Sequence, residues 1–356
     1  MEKKISLPFY LKASIILIGL LATIFIFYVA QGIIVPIIFS VILSIILHPV
    51  VKFFVRFKIH RVVAIIITLT ISFLIISGLG IFLFSQASRF IETFPELVKK
   101  FTGLINQSLT WISGFLDVSP QKINFWISSR MDNLITAGSA AIGKTIITVG
   151  SALVLLILIP VYIFLLLFYQ PLIIEFIYRL SGTENREQVG QILSQIKILI
   201  QDYLVGLLIQ AGFIAILYLT GLLILGIDYA ILLAVSGAFL NMIPYLGAII
   251  AAMLPMLMAV VTKPSPASAL LVLGLYVLIQ FIDNNILVPR IVASKVRLNA
   301  LTSIIVVFSF GLLWGIPGMF LSIPLTAIIK VICDQVEPLK PLGFLLGDTM
   351  PAENTD

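Results

Sequence analysis

Two stretches decide the fold: residues 229–261, YAILLAVSGAFLNMIPYLGAIIAAMLPMLMAVV, and residues 300–332, ALTSIIVVFSFGLLWGIPGMFLSIPLTAIIKVI. Each is apolar almost throughout and too long for one spanning helix, because ~20 residues already cross a hydrocarbon core of ~30 Å. Each is also broken near its middle, the first by Asn241, Pro244, Tyr245 and Gly247, the second by Gly315, Pro317 and Gly318. The arms on either side, about 13 to 17 residues long, are short for that core. The pattern therefore predicts two re-entrant helical hairpins, each returning to the side it entered from.

Outward from these stretches, further apolar runs fall at 13–30, 33–51, 62–87, 146–169, 203–225 and 267–288. The expectation is an all-α polytopic membrane protein with about six full spans plus the two hairpins. Composition agrees: 60% of the 356 residues are hydrophobic and 11% charged, against roughly 25% charged in an ordinary soluble domain. No soluble core could hide that much apolar surface. Lys3 and Lys4 before an apolar run imitate a secretory signal, but a second run follows at once with no small-residue cleavage site between. The first run is thus expected to be a retained helix, forming a tight hairpin with the second across Gln31 and Gly32.

Basic residues set the orientation, since cytoplasmic loops are enriched in Lys and Arg. Lys3, Lys4 and Lys12 place the N-terminus inside, as do Lys52, Arg56, Lys58 and Arg61 for the next inner loop, and Arg179, Arg186 and Lys197 for the one after. If both broken runs are hairpins, Arg290, Lys295, Arg297, Lys330 and Lys340 also fall inside; fifteen basic residues then lie inside and only Lys263 outside, apart from the long segment 88–145. That segment carries six basic residues on the outer side, a tension with the rule that long segments soften. Its Phe94, Leu97, Val98, Phe101, Leu104, Ile105, Leu109 and Ile112 recur at helical spacing, which predicts an amphipathic helix on the membrane or on the bundle.

The domain reading follows: N-terminal membrane helices at 1–87, an extracytoplasmic amphipathic segment at 88–145, a fourth span and cytoplasmic connector at 146–202, a transport core at 203–332, and a cytoplasmic tail at 333–356. Within the core, helix plus hairpin at 203–261 recurs as helix plus hairpin at 267–332 in the opposite orientation. Inverted repeats with broken helices meeting near the bilayer midplane are a recurring transporter design, with the site at the repeat interface.

Irregular backbone at membrane depth is tolerated only where it is buried in protein or lines a wet cavity, so the hairpin tips are candidate site walls. Asn241 and Tyr245 offer hydrogen-bonding side chains there, while Pro244, Gly247, Gly315, Pro317 and Gly318 shape backbone whose carbonyls are free to coordinate a cation. Packing alone is the plainer account of such breaks. Gln280, Asp283, Asn284 and Asn285 form a polar cluster near the end of an otherwise apolar helix, and an ionisable residue inside a span is costly enough to imply a partner or a cavity. Asp283 is the expected proton or transient Na⁺ site; the plainer alternative is an interfacial carboxylate paired with Arg290. Asp202, at the expected start of the helix at 203, is a candidate second carboxylate, although capping and the helix dipole are an adequate and simpler account of it.

Other chemistries find little support. Gly138 to Thr145, GSAAIGKT, satisfies the phosphate-loop pattern, but that loop works only between a buried strand and a helix, and here a membrane span follows. His48 and His60 are the only histidines, and neither a zinc-protease nor a serine-nucleophile motif occurs. Cys333 is the single cysteine, so no disulfide framework and no cysteine metal site is expected. The net charge of +6 comes from loop residues with no aromatic interleaving, so nucleic acid is not expected as a partner. The reading is of a non-enzyme with no cofactor and no resident metal.

The C-terminal half resembles the autoinducer-2 exporter family, also described as PerM-type permeases. The residues that carry the resemblance are NMIPYLG at 241–247, QFIDNNILVPRIVASKVRLNAL at 280–301 and GLLWGIPGMFLSIPLTAI at 311–328, and the layout before residue 146 agrees. Where many relatives continue the first tip with a further proline, this chain has Ala248. The resemblance implies a polytopic transporter of the inner or plasma membrane, some members exporting autoinducer-2 and others assigned Na⁺(Li⁺)/H⁺ antiport. The expected function is secondary transport of a small polar solute or ion by alternating access. The alternatives are Na⁺(Li⁺)/H⁺ antiport, a channel-like pore, and a non-transporting membrane scaffold. Expected partners are membrane lipid, a small polar solute or a monovalent cation and proton, and further copies of the chain in a homo-oligomer.

Overall fold

The computed structural model describes residues 8–113, 157–182, 185–263, 265, 267–293 and 296–348. The amphipathic positions beyond Ser113, the phosphate-loop look-alike at 138–145 and the start of the expected fourth span lie outside the described residues. Every element among those described is helical: α1 (Phe9–Val29), α2 (Gln31–Arg56), α3 (Arg61–Ser113), α4 (Ile157–Phe168), α5 (Gln170–Ser181), α6 (Arg186–Ile224), α7 (Ala230–Asn241), α8 (Gly247–Thr262), α9 (Ala267–Ile282), α10 (Ala300–Gln335) and α11 (Lys340–Leu346). A π-helical segment, Asp283–Ala293, continues α9, and one 3-10 turn precedes α11.

Six helical stretches are long and apolar enough to cross a membrane, namely Phe9–Val29, Gln31–Arg56, Arg61–Phe90, Arg186–Ile224, Ala267–Val292 and Ala300–Gln335. A seventh forms if α4 and α5, bent by 64° at their junction, act as one broken span. The expected boundaries shift in several places. Between α1 and α2 the junction is the single residue Ala30 (φ −87°, ψ 12°), so Gln31 and Gly32 already belong to α2. The span expected at 203–225 is the C-terminal part of α6, a 39-residue helix; at 1.5 Å per residue it is about 58 Å long and must extend beyond a ~30 Å core. Residues 91–113, part of the expected amphipathic segment at 88–145, continue α3 without a break.

The chain divides into two compact units: Met1–His48 with Ile159–Gln201 and Val296–Asp356, and Pro49–Leu158 with Asp202–Lys295. The second unit is built on the C-terminal part of α6, the pair α7 and α8, and α9. Its core joins Ile214, Tyr218 and Leu222 of α6 to Leu233 and Ala238 of α7, Met258 and Ala259 of α8, and Val272, Tyr276 and Ile279 of α9. Phe90 and Phe101 of α3 pack against this core, so the described part of the long segment contributes to the bundle's own packing.

Helices α7 and α8 are too short to span alone and pack on one another. Gly237 of α7 lies where an added Cβ would stand 3.5 Å from the Ala251 Cβ of α8, so small residues set the close approach. The break between them is sharp. Tyr245 takes φ +66°, a left-handed conformation unusual for a bulky residue, and an added Cβ at Gly247 would strike the Leu240 carbonyl oxygen. Only glycine lets the chain fold back that tightly.

In the first unit α10 is broken at Gly315, whose φ 65° and ψ −145° are non-helical and belong to a region only glycine enters readily. Residues eight apart in a straight helix are about 12 Å apart, yet an added Cβ on Gly318 would run into the Phe310 carbonyl and one on Gly311 would stand 2.7 Å from the Met319 Cε. The helix is therefore sharply kinked at Gly315, with Pro317, which needs no N–H partner, in the first turn after the kink. Trp314, beside the break, donates its indole N–H to the Phe27 carbonyl of α1 at 3.0 Å, and Phe39 of α2 stacks on Phe320 at 5.9 Å. The expected second repeat is divided between units: α9 belongs to the second and α10 to the first.

Candidate functional site

Asp283 is 2% exposed, although it sits in the stretch Ala267–Val292 that is long and apolar enough to span. Gln210 of α6, 6% exposed, donates from Nε2 to both carboxylate oxygens, at 2.8 Å to Oδ1 and 3.0 Å to Oδ2. Asn241, the last residue of α7, donates from Nδ2 to Oδ2 at 2.8 Å. One carboxylate thus ties together three elements: α6, the hairpin tip and the α9 extension. Among the described residues its hydrogen-bond partners are neutral amides, with no Lys or Arg in an ion pair with it. Arg290, the sequence-based candidate, is exposed.

Local sequence explains the site. Pro289 has no N–H to give the carbonyl four residues back, and its ring crowds that carbonyl; the helix widens to π geometry from Asp283 onward. Such bulges are rare and occur often at functional sites. Gly206, one turn before Gln210 on α6, lies where an added Cβ would stand 2.7 Å from the Ile291 carbonyl oxygen. That glycine lets the π segment lie against α6 and so brings Asp283 within reach of Gln210.

Two turns further along the same helices, the rings of Tyr218 (α6) and Tyr276 (α9) stack with centroids 4.2 Å apart and an interplanar angle of 18°. Both are buried, at 0% and 4% exposure, and neither hydroxyl has a hydrogen-bond partner among the described residues. Buried polar groups are nearly always satisfied, so two orphan phenols on the seam that holds Asp283 are an unusual feature.

The other sequence-based candidates are placed differently. Asn284 and Asn285 are exposed; Asn284 accepts from Gln280 Nε2 at 3.1 Å and Asn285 donates to the Phe281 carbonyl at 2.8 Å. They follow Asp283 in sequence but face away from it. Tyr245 and Pro244 stay at the hairpin tip, where Tyr245 is half exposed, and Gly247 makes the tip's backbone contact. Gly315, Pro317 and Gly318 belong to the first unit and lie at the kink of α10. Asp202 is not at a helix N-terminus, because α6 begins at Arg186; the capping account fails. It lies eight residues before Gln210, about 12 Å along the axis. Gln210 itself and Gly206 were not anticipated. The available signal was a lone amide in the apolar run LVGLLIQAGF, since a polar side chain inside a span needs a partner.

A family profile described as AI-2E family transporter matches residues 16–337, a stretch that contains the whole of this cluster. The chain belongs to that family. Among similar proteins, YueF of Bacillus subtilis (strain 168) is 25% identical over 259 residues, covering 71% of this chain and 70% of that one. YhhT of Escherichia coli (strain K12) is 24% identical over 299 residues, 82% of each chain. The AI-2 transport protein TqsA of Escherichia coli (strain K12) is 35% identical over 124 residues, 35% of this chain and 36% of that one. An AI-2E family transporter with six apolar helices of spanning length is a multi-pass integral protein of the cell membrane, surrounded by lipid.

Proposed function

We propose that this AI-2E family transporter moves a small polar solute by alternating access, and that the Asp283 carboxylate is the polar point the solute meets. The observation that supports this reading is the caging of one buried carboxylate by Gln210 and Asn241. A solute that donates hydrogen bonds competes with Asn241 for Oδ2, and losing that bond frees the α7–α8 tip from the α9 extension. The tip at Tyr245 (φ +66°) and the π segment are irregular backbone adjoining the Asn241 and Asp283 ends of that bond. Tyr218 and Tyr276 supply the next polar groups along the seam, with hydroxyls that have no hydrogen-bond partner among the described residues.

A solute bearing hydroxyl groups or a small cation suits this site better than a large anion, which the carboxylate would repel. The AI-2 of TqsA's name is the first solute to test. Purified protein in proteoliposomes, loaded with AI-2 and assayed for efflux, should lose flux on Asp283→Asn and on Gln210→Met. Flux and pH dependence unchanged in Asp283→Asn would remove Asp283 from the mechanism. A parallel arm with a pH-sensitive dye and a Na⁺ or Li⁺ gradient separates the antiport alternative: a cation-dependent proton signal lost in Asp283→Asn, with no AI-2 flux, reassigns the carboxylate to cation and proton exchange.

A further inference from the structure

A cavity of about 610 Å³ opens where α3 passes the loop between α6 and α7. It is separate from the Asp283 cluster: the whole of α7, twelve residues or about 18 Å, lies between the loop and Asn241. Arg89 and Lys100 of α3 line it, eleven residues apart and therefore on one helix face, with Asp228 and Tyr229 from the loop and Leu223 and Met258 as apolar floor. The wall is well defined. The Tyr229 hydroxyl donates to the Arg89 carbonyl at 3.3 Å and its ring meets Phe90 edge-on at 5.5 Å. Lys263, next in sequence to the lining residue Thr262, has its Nζ 3.0 Å from where a Cβ on Gly226 would be.

Charge at the cavity is unbalanced. Among the described residues, two cations, Arg89 and Lys100, and one carboxylate, Asp228, line the cavity; Lys263 follows the lining residue Thr262, and Lys100, Lys263 and Asp228 make no ion pair among the described residues. Arg89 also sits at the end of the apolar stretch Arg61–Phe90, the depth at which phospholipid headgroups lie. Arg89 and Lys100 are two of the basic residues that the charge bias assigns to the unexpected side of the membrane. Basic residues kept where the orientation signal disfavours them call for another role, and a cationic pocket with an apolar floor at headgroup depth provides one.

We propose that this cavity binds a phosphate-type anion, held by Lys100, Arg89 and Lys263 over the apolar floor of Leu223 and Met258. The source is either an anionic phospholipid headgroup, with its chains on the apolar side, or a soluble phosphate. The site does not depend on the transport reading.

The test uses the full chain in neutral detergent and follows its thermal unfolding midpoint while short-chain phosphatidylglycerol, short-chain phosphatidylcholine or inorganic phosphate is added. Phosphatidylglycerol or phosphate should raise the midpoint in a saturable way; stabilisation by phosphatidylglycerol alone identifies the headgroup, and stabilisation by phosphate alone identifies the soluble anion. Lys100→Gln and Lys263→Gln should each weaken that binding about tenfold, the scale of one charge-assisted hydrogen bond. Asp228→Asn, which removes the opposing charge, should tighten it, and a gain of affinity does not arise from misfolding. The proposal is overturned if neither anion stabilises the protein, or if phosphatidylcholine matches phosphatidylglycerol and the three variants leave binding unchanged.

Discussion

Replacing Gln210 by methionine, which keeps the volume and removes the amide, withdraws the donor that spans both oxygens of Asp283 at 2.8 and 3.0 Å. Hydrogen bonds to a charged group are worth ~1.5–3 kcal/mol, whereas interhelical hydrogen bonds within membranes average ~0.6 kcal/mol and reach ~1.7. Asn241 retains one bond to Oδ2, so the loss is partial, and we expect Gln210→Met to cost about 2 kcal/mol with Asp283 present. In an Asp283→Asn background the same change breaks only a neutral contact and should cost no more than about 0.6 kcal/mol. The coupling is then about 1.5 kcal/mol, well outside the ~0.5 kcal/mol within which independent sites add. Four proteins, the parent, both single variants and the double variant, are compared by reversible unfolding in mixed micelles. Additivity within ~0.5 kcal/mol would refute the claim that Gln210 and Asp283 act as one coupled unit and would leave the cage as ordinary packing.

Further outcomes follow from the same geometry. Tyr218→Phe and Tyr276→Phe each remove a buried hydroxyl with no partner, so stability should hold or rise by up to ~1–3 kcal/mol, while solute flux falls; loss of stability without loss of flux would contradict the seam's role. Gly206→Ala places a Cβ 2.7 Å from the Ile291 carbonyl oxygen, and the forced displacement should cost ~1–3 kcal/mol and abolish flux, read by unfolding and by proteoliposome efflux. Gly315→Ala puts a side chain at φ 65°, ψ −145° and should cost ~1–3 kcal/mol of thermal stability. Asn299 donates to the Leu345 and Gly347 carbonyls at 2.7 and 2.9 Å and accepts from the Thr302 N–H at 2.7 Å; Asn299→Ala should cost about 1 kcal/mol and accelerate hydrogen exchange across 340–347 while leaving α9 unchanged.

Much of the architecture was legible along the chain, because the bilayer imposes its thickness on every apolar run and penalises every polar interruption. Hydropathy therefore located the apolar helices, and the interruptions at 241–247 and at Gly315 marked a break between two short helices and a kink within a long one. The same physics singled out Asp283. What one-dimensional reading could not supply was direction. Asp283, Asn284 and Asn285 are consecutive, yet successive residues of a helical segment point in different directions, so the carboxylate is buried in the bundle and the two amides are exposed. Gln210 escaped because its partner is 73 residues away, and Gly206 because a glycine's purpose appears only when a second backbone stands against it. Asp202 was misplaced for a related reason: α6 starts at Arg186, in polar sequence that hydropathy does not register as helix. The sequence by itself determined that this is a membrane-embedded helical chain with two broken elements and one costly carboxylate, since those properties are sums over local composition. Only the tertiary structure decided which donors that carboxylate holds, because hydrogen-bond partners are chosen by the approach of distant helices to within about 3 Å.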